Sequence, residues 1–284
     1  MQLLRFVVVL TTAALLGLPL AGRALEPAEL SYDLRVDVPV TVVATTGWLT
    51  SELLKSHLSA TACRWCDRNA DGSDNLNPLD RGTRNALRWS NTSRADSLSN
   101  VTGFALAPLV ALGMTALAAN HEGALDRAPV DGLLIAEATA LAADLNQIVK
   151  FAVGRERPFV HALPEAEKLH TAQPSDNNAS FYSGHTNLVF ALAVSSGTVA
   201  SMRGYRYAPA VWASGLTVAL ATGWLRIAAD KHYLTDVVTG AVVGSAVGFG
   251  VPWLGHRAPQ KSAVPAVSAG VAQGGLSLAA SWVW

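Results

Sequence analysis

The sequence has few charged side chains, few aromatic side chains and only two cysteines. Charged residues make up 15% of the 284 residues and aromatic residues 7%, and 21 basic residues balance 21 acidic ones. A net charge of zero gives no bulk attraction for nucleic acid, so no nucleic-acid partner is predicted. Half of the residues are hydrophobic, which is high for a soluble domain and low for a transporter whose helices all face lipid.

The two cysteines, Cys63 and Cys66, lie three positions apart in the segment CRWC. Two thiols are too few ligands for a structural zinc site. A redox function would need this motif beside a strand-to-helix turn, which the neighbouring sequence does not indicate. The spacing therefore predicts a small local disulfide, formed in an oxidising compartment.

The first 24 residues have the pattern of an export signal. Arg5 supplies the charged start, Phe6 to Leu20 the apolar core, and Gly22-Arg23-Ala24 a cleavage site of small residues. The alternative is an uncleaved membrane anchor of the same sequence. Either reading sends the chain across a membrane, and we expect a location in a bacterial cell envelope.

Apolar periodicity after the signal predicts an all-α protein. We expect an N-terminal helix and a disulfide-bearing polar region over residues 25–100, and a bundle of five to six core helices over residues 101–255. Residues 256–284 form a tail that reads as a β-hairpin around Gln273-Gly274-Gly275. The predicted helices are Asp37–Leu54, Asp80–Trp89, Val101–Ala119, Gly132–Val153, Gly184 or His185 to Met202, Ala208–Leu225 and Thr235–Pro252.

The run from Val101 to Ala119 carries no charge and is long enough to span a bilayer. Glu137 and Asp144 in the next helix must instead face protein or water. We expect membrane association with an outward-facing site, in which Phe6–Leu20 stays as an anchor and the Asp37 helix lies outside the membrane. A cleaved, soluble periplasmic bundle is the alternative.

An Asp/Asn-rich segment in the polar region resembles the first half of a calcium loop. It supplies Asp67, Asn69 and Asp71, but Pro78 stands where the closing glutamate should be. An Asp/Asn-rich turn is the favoured interpretation.

Polar residues cluster at three places that antiparallel helices with short connections would bring to one face of the bundle. These places are the end of the Gly132 helix, the start of the His185 helix and the turn between the last two helices. The residues that would meet there are Lys150, Arg157, Ser183, Gly184, His185, Arg226, His232 and Asp236.

This set has the chemistry of a phosphate site. Three cations beside the free N–H groups of a helix N-terminus would bind a tetrahedral oxyanion. Two imidazoles would give a nucleophile and a proton donor, and Asp236, four residues after His232, would hold one ring nitrogen of His232. Taken singly, Lys150 could be a helix-end lysine and Ser183 an ordinary N-cap.

Three segments, KFAVGRERP (150–158), YSGH (182–185) and LRIAADKHYLTD (225–236), resemble the three motifs of the type 2 phosphatidic acid phosphatase family, which includes the vanadium haloperoxidases. The pattern of that family is K-x6-R-P, then P-S-G-H, then S-R-x5-H-x3-D. Tyr182 replaces the proline of the second motif and Leu225 the serine of the third. Neither departure removes a charged or proton-transferring group.

The resemblance implies a phosphatase that needs no metal or cofactor and acts through a phosphohistidine. His232 would attack phosphorus, Asp236 would orient it, and His185 would protonate the leaving group. The phosphoryl oxygens would be held by Lys150, Arg157, Arg226, Ser183 and Gly184. The expected substrate is a lipid phosphate such as phosphatidic acid or an isoprenyl pyrophosphate, and a small phosphomonoester is the alternative. Two rival functions are a vanadate-dependent haloperoxidase and a non-catalytic protein that binds anionic lipid.

Overall fold

The protein is an all-α bundle, which confirms the predicted fold class. The computed structural model describes residues 27–258, 265–272 and 275–282, so the predicted export signal lies outside the described residues. The α-helices, in chain order, are α1 Leu34–Leu53, α2 Lys55–Leu58, α3 Pro78–Leu87, α4 Thr92–Val101, α5 Ala107–His121, α6 Ala128–Val153, α7 Pro158–His161, α8 Gly184–Arg203, α9 Ala208–Ala228 and α10 Leu234–Gly250. Short π-helical segments, Thr102–Leu106 and Val251–Gly255, join α4 to α5 and follow α10.

Helix α8 is the centre of the bundle, and 15 of its 20 residues are buried. It packs against α5, α6, α9 and α10. Leu188, Val189 and Leu192 of α8 form the main core with apolar residues of three neighbouring helices, namely Ala107, Ala111, Leu134, Ile135 and Ala219. Because α8 begins at the cavity described below, this packing fixes the position of the first residues of α8.

A stripe of glycines on α10 allows that helix to lie unusually close to α8. A side-chain carbon added to Gly244 would lie 2.3 Å from the carbonyl oxygen of Asn187, and one added to Gly240 would lie 2.7 Å from that of Ser183. The backbones therefore meet without intervening side chains, as in closely packed membrane helices. This contact holds the start of α10 against the start of α8.

Helix α1 lies along α6 from one end of the bundle to the other. Asp37 is beside Glu137 near the start of α1, and Glu52 accepts a 2.6 Å hydrogen bond from Gln147 near its end. Helix α1 therefore packs against α6 along much of its own length, and it is not among the described segments that are long and apolar enough to cross a membrane.

Four helical segments of the described chain are long and apolar enough to cross a membrane: Thr92–His121, Leu125–Val153, Ala208–Ala228 and Leu234–Gly255. Their outer faces carry exposed large apolar side chains, among them Leu109, Leu117, Leu220, Val238 and Val242. An apolar exterior of this kind favours contact with lipid. The length and composition of these four segments indicate membrane association.

The polar region after α1 forms a cap over one end of the bundle. It contains the predicted disulfide, Cys63–Cys66, with a Cα–Cα distance of 5.4 Å. The calcium-like segment is a turn, because Asp71 accepts hydrogen bonds from the backbone and hydroxyl of Ser73 and Asp67 accepts one from Trp65. The carboxylates that a calcium loop would direct to an ion are used within the cap.

The C-terminal hairpin is present. Strands β1 Pro265–Ala272 and β2 Gly275–Trp282 pair antiparallel, with Ala272 opposite Gly275 at the turn. The main difference from the predicted elements is the helix expected to begin at Val101, since α4 begins at Thr92. The polar sequence of α4 hides this extension because only a narrow edge, with Ala95 and Ser99, is buried.

Candidate active site

A cavity of about 570 Å³ lies at the end of the bundle where α6 and α9 end and α8 begins. Of the eight residues predicted to converge, six line this cavity: Lys150, Arg157, Gly184, His185, Arg226 and His232. Ser183 and Asp236 are fully buried behind its wall. The structure thus brings together segments that are up to 86 positions apart in the sequence (from 150 to 236).

Helix ends place these side chains. Lys150 lies in the last turn of α6, which stops because Gly154 adopts a left-handed conformation with φ of 60°. Arg226 lies in the last turn of α9, and Gly184 is the first residue of α8. His232 lies in the turn before α10, which begins at Leu234, so it precedes the helix that carries Asp236.

The ammonium group of Lys150 is packed directly against the start of α8. A side-chain carbon added to Gly184 would lie 2.8 Å from Lys150 Nζ and 2.9 Å from Asn146 Oδ1. Asn146 also donates a 2.9 Å hydrogen bond to the carbonyl oxygen of Tyr182. A side chain at position 184 would therefore displace the ammonium group of Lys150 or the amide of Asn146.

Arg157 and Arg226 are both 3% exposed, and each keeps part of its guanidinium group without a partner in the described residues. Arg226 donates to Asp96 at 2.6 Å and to Ser99 at 2.8 Å, and Arg157 lies 3.5 Å from Asp176. The Nε atoms of both arginines are buried and have no hydrogen-bond partner among the described residues. Both side chains line the cavity, where their guanidinium groups can offer charge-assisted donors to an anion.

His232 is held in one tautomer by a backbone carbonyl. Its Nδ1–H donates to the Ser180 carbonyl oxygen at 2.8 Å, which leaves the lone pair on Nε2. Burial, followed by the charges of Arg157, Arg226 and Lys150, holds the pKa of His232 well below its ordinary value. The imidazole is therefore neutral and nucleophilic at neutral pH.

The direct hydrogen bond predicted between Asp236 and His232 is absent. The nearest carboxylate oxygen of Asp236 lies 3.7 Å from His232 Nδ1, because that nitrogen is already paired with Ser180. Asp236 instead accepts hydrogen bonds from the Ser180 hydroxyl at 2.6 Å, the Tyr233 N–H at 3.0 Å and Arg155 at 2.6 Å. Asp236 thus fixes both residues that border the ring and orients His232 indirectly.

His185 faces the same cavity from the first turn of α8. Its Nε2 lies 2.7 Å from the Asn100 side-chain oxygen, and its ring packs edge-on against Phe104 at a centroid distance of 4.6 Å. Gly103, in the π-helical segment, leaves room for this ring, because an added side-chain carbon would lie 3.1 Å from it. Burial and the charge of Arg226 hold the pKa of His185 well below its ordinary value.

Ser183 does not take the phosphate-binding position predicted for it. Its hydroxyl oxygen accepts from the Thr186 N–H at 3.4 Å and from the Thr186 hydroxyl at 2.9 Å, so it caps α8. The residue is fully buried and does not line the cavity. The N-cap interpretation that the sequence left open is the one observed, because the first turn of a helix has unpaired N–H groups.

Arg155 is the main functional residue that the sequence argument missed. It is fully buried and forms ion pairs with Asp236 at 2.6 Å, Asp80 at 2.9 Å and Asp67 at 3.0 Å. Its guanidinium also lies between the rings of Trp65 and Tyr233, at 4.2 and 4.3 Å. Burial alone would lower the pKa of Arg155, but the Asp236 and Asp80 carboxylates raise it above its ordinary value. This arginine connects the cap to the residues around His232.

Further charged residues of the cavity wall were also missed. Lys55 pairs with Asp176 at 2.7 Å, and Lys231 lies 3.6 Å from Asp96. Burial would raise the pKa of Asp176, but Arg157 and Lys55 lower it, so this carboxylate stays ionised. Lys55, Asp96 and Asp176 come from segments outside the recognised motifs, and Lys231 occupies an unspecified position inside the third motif.

One side of the cavity is apolar. Trp48, Leu49 and Phe104 line it beside the charged residues, and Leu49 and Phe104 are each 53% exposed. The cavity therefore presents a charged floor and an apolar border at the surface of the protein.

An all-α bundle with a cationic cavity and two histidines at its helix ends defines a helical protein suited to an oxyanion. Residues 131–259 match the family model described as the PAP2 superfamily. The match confirms the resemblance seen in the three motifs. No curated protein and no solved structure matches the chain significantly. The superfamily consists in general of phosphatase-type enzymes that act on phosphate esters.

Proposed function

We propose that the protein is a phosphatase that hydrolyses phosphate monoesters or pyrophosphates through a phosphohistidine at His232. The observation that carries this proposal is the environment of His232: its Nδ1 is bound to a carbonyl, and its ring lines a cavity shared with Lys150, Arg157 and Arg226. These cations would bind the phosphoryl oxygens and stabilise the charge that develops in the transition state.

In the first step, Nε2 of His232 attacks phosphorus and the bond from phosphorus to the leaving oxygen breaks. His185 donates a proton to that oxygen, which leaves as an alcohol. In the second step His185 takes a proton from water, the water oxygen attacks phosphorus, and the P–N bond breaks to release phosphate. A bound dianion offsets the cations that lower the pKa of His185, so substrate binding favours the protonated form that the first step needs.

The proposed substrate is a lipid phosphate. Exposed Leu49 and Phe104 beside the charged wall would receive an apolar chain while the headgroup reaches the cations. Turnover of phosphatidic acid, an isoprenyl pyrophosphate and a chromogenic aryl phosphate, compared at equal concentrations, tests this. Preference for the aryl phosphate would instead indicate a small-molecule acid phosphatase.

Substitution of the nucleophile tests the reaction itself. His232→Ala should abolish phosphate release while the protein stays folded, whereas His121→Ala should keep it, because His121 lies in the last turn of α5 away from the cavity. Retained turnover in His232→Ala would remove the assignment. Vanadate-dependent halide oxidation without phosphatase turnover would indicate a haloperoxidase. Equal ligand binding by wild-type protein and His232→Ala, with no turnover by wild-type protein, would indicate a lipid-binding protein.

We further propose that the cavity faces outward from the membrane. The Cys63–Cys66 disulfide lies in the cap that Trp65 and Arg155 join to the cavity region, and disulfides persist in oxidising compartments. Fractionation with an alkaline carbonate wash distinguishes an integral protein from a peripheral or soluble periplasmic one. The proposed orientation would be contradicted if a reductant and a thiol-blocking reagent reached the two cysteines only from the cytoplasmic side, after permeabilisation of the membrane.

A further inference from the structure

A second group of buried polar residues lies well away from the cavity. Asp37 of α1, Glu137 of α6 and His256, just after the π-helical segment that follows α10, each offer a ligand atom, and these atoms all lie within 4.8 Å of one another. The three residues are 5–7% exposed. At 1.5 Å per residue, Glu137 is about 20 Å along α6 from Lys150, so the two groups are separate.

The tautomer of His256 directs a lone pair at the carboxylates. Its Nδ1 lies 3.0 Å from the Ser31 carbonyl oxygen, which can only accept, so Nδ1 carries the proton. Its Nε2 faces Glu137 Oε2 at 3.6 Å, which is too long for a hydrogen bond. A histidine that binds a metal commonly donates its other N–H to a backbone carbonyl in this way.

Glu137 provides a second, independent indication. Its Oε2 atom is buried, has no hydrogen-bond partner in the described part of the chain, and belongs to a side chain that is only 10% exposed. Among the residues that the structure describes, the Asp33 N–H, at 2.9 Å, is the only hydrogen-bond donor to the Asp37 carboxylate. Within the described residues, no ion pair joins either carboxylate to a lysine or arginine. Buried negative charge without a positive partner is costly, and a cation between these atoms would remove the cost.

We propose that Asp37, Glu137 and His256 bind one divalent transition-metal ion, with zinc as the best match. One imidazole nitrogen and two carboxylate oxygens form a donor set that such ions bind, whereas Mg²⁺ and Ca²⁺ prefer oxygen alone. The ion joins α1 to α6 and to the end of α10, and it stabilises the bundle without taking part in phosphate chemistry.

Metal titration of the full chain tests the site. Chelator-treated protein without a histidine tag is titrated with Zn²⁺ by calorimetry, and with Co²⁺ by visible absorption. Wild-type protein should bind one equivalent and melt at a higher temperature with zinc. Zinc affinity should fall at least about 100-fold in each of the three ligand variants, Glu137→Gln, Asp37→Asn and His256→Ala. Loss of a residue that only hydrogen-bonds to a ligand already lowers metal affinity about 10–100-fold.

Two variants serve as matched controls. Asp144→Asn removes another carboxylate of α6, and His232→Ala removes an imidazole of the cavity, and both should retain one equivalent of zinc. X-ray absorption of the zinc-loaded wild-type protein should show one imidazole and no sulfur ligand, which tests the site even if a cluster variant fails to fold. Absence of stoichiometric binding, a ligand set with two imidazoles, or unchanged binding in all three cluster variants would overturn the proposal. Chelation should leave phosphatase turnover intact.

Discussion

Arg155→Gln is the substitution whose effect is best defined by the structure. It removes the only cation that pairs, among the described residues, with both of the fully buried carboxylates Asp80 and Asp236, and it also leaves Asp67 unpaired. Removal of one partner from a buried ion pair typically costs about 3–5 kcal/mol because the remaining charge stays desolvated. We expect a loss of stability of at least that size, since two such charges remain.

The matched control is a surface ion pair of the same type. Arg81 and Asp74 are each 48% exposed and lie 3.1 Å apart, and exposed pairs contribute about 0–1 kcal/mol. Thermal unfolding of the purified proteins measures both effects. At about 2–4 °C per kcal/mol, Arg155→Gln should lower the melting temperature by about 6–20 °C, and Arg81→Gln by less than about 4 °C.

Arg155→Gln should also lower turnover, because Asp236 would lose the side chain that fixes it beside Ser180 and Tyr233. Arg155→Lys keeps the charge but not the forked donor set, so its turnover should lie between that of wild-type protein and that of Arg155→Gln. If Arg155→Gln costs no more stability than Arg81→Gln, the argument that this buried network supports the site is refuted.

Further predictions concern the cavity itself. Gly184→Ala should reduce kcat/KM by at least about tenfold, because the added carbon would lie 2.8 Å from Lys150 Nζ and crowd it. A tenfold reduction corresponds to a loss of about 1.4 kcal/mol of transition-state binding. Wild-type kinetics in this variant would contradict the crowding. As pH falls, kcat/KM should begin to decrease only below pH 6.5, because the lowered pKa of His232 keeps the nucleophile neutral down to that pH. A decrease that begins above about pH 7 would exclude His232 with a lowered pKa as the nucleophile. The pKa values of His185 and His232 are lowered in the folded state, whereas in the unfolded state they have the ordinary value of 6.5. At pH values between these limits the unfolded state therefore binds more protons than the folded state. Stability should therefore fall as pH drops below 6.5, and His232→Gln should reduce that slope by up to about 1.4 kcal/mol per pH unit in denaturant titrations. An unchanged slope would show that the His232 pKa is not lowered. Ser180→Ala should lower the free energy of unfolding by about 1.5–3 kcal/mol, because the hydroxyl bond to Asp236 is lost. The bond from His232 to the backbone carbonyl of residue 180 persists, so turnover should fall less than in Arg155→Gln.

The bundle could be predicted because its helices carry long apolar runs bounded by clear end signals. Gly154 ends α6 and Ser183 begins α8, and both are typical helix-end residues. The start of α4 at Thr92 was missed, since a helix with one narrow buried edge shows little apolar periodicity. Here sequence pattern alone does not identify the boundary.

The cavity residues could be predicted only where a motif carried them. The bond from His232 to the Ser180 carbonyl could not be foreseen, because any residue has a backbone carbonyl and 52 positions separate the two. The ion pairs of Arg155 join four separate segments, and sequence does not show which aspartate meets which arginine. Such tertiary partners depend on how the cap folds over the bundle.

The most direct test of the proposed function is to trap the phosphorylated protein. Wild-type protein is mixed with substrate for less than one turnover, quenched in alkali, which preserves phosphohistidine, and digested for mass spectrometry. We expect one phosphate on His232 in wild-type protein and in His121→Ala, and none in His232→Ala. Phosphate release from wild-type protein with no modified histidine, or with the phosphate on another residue, would contradict it.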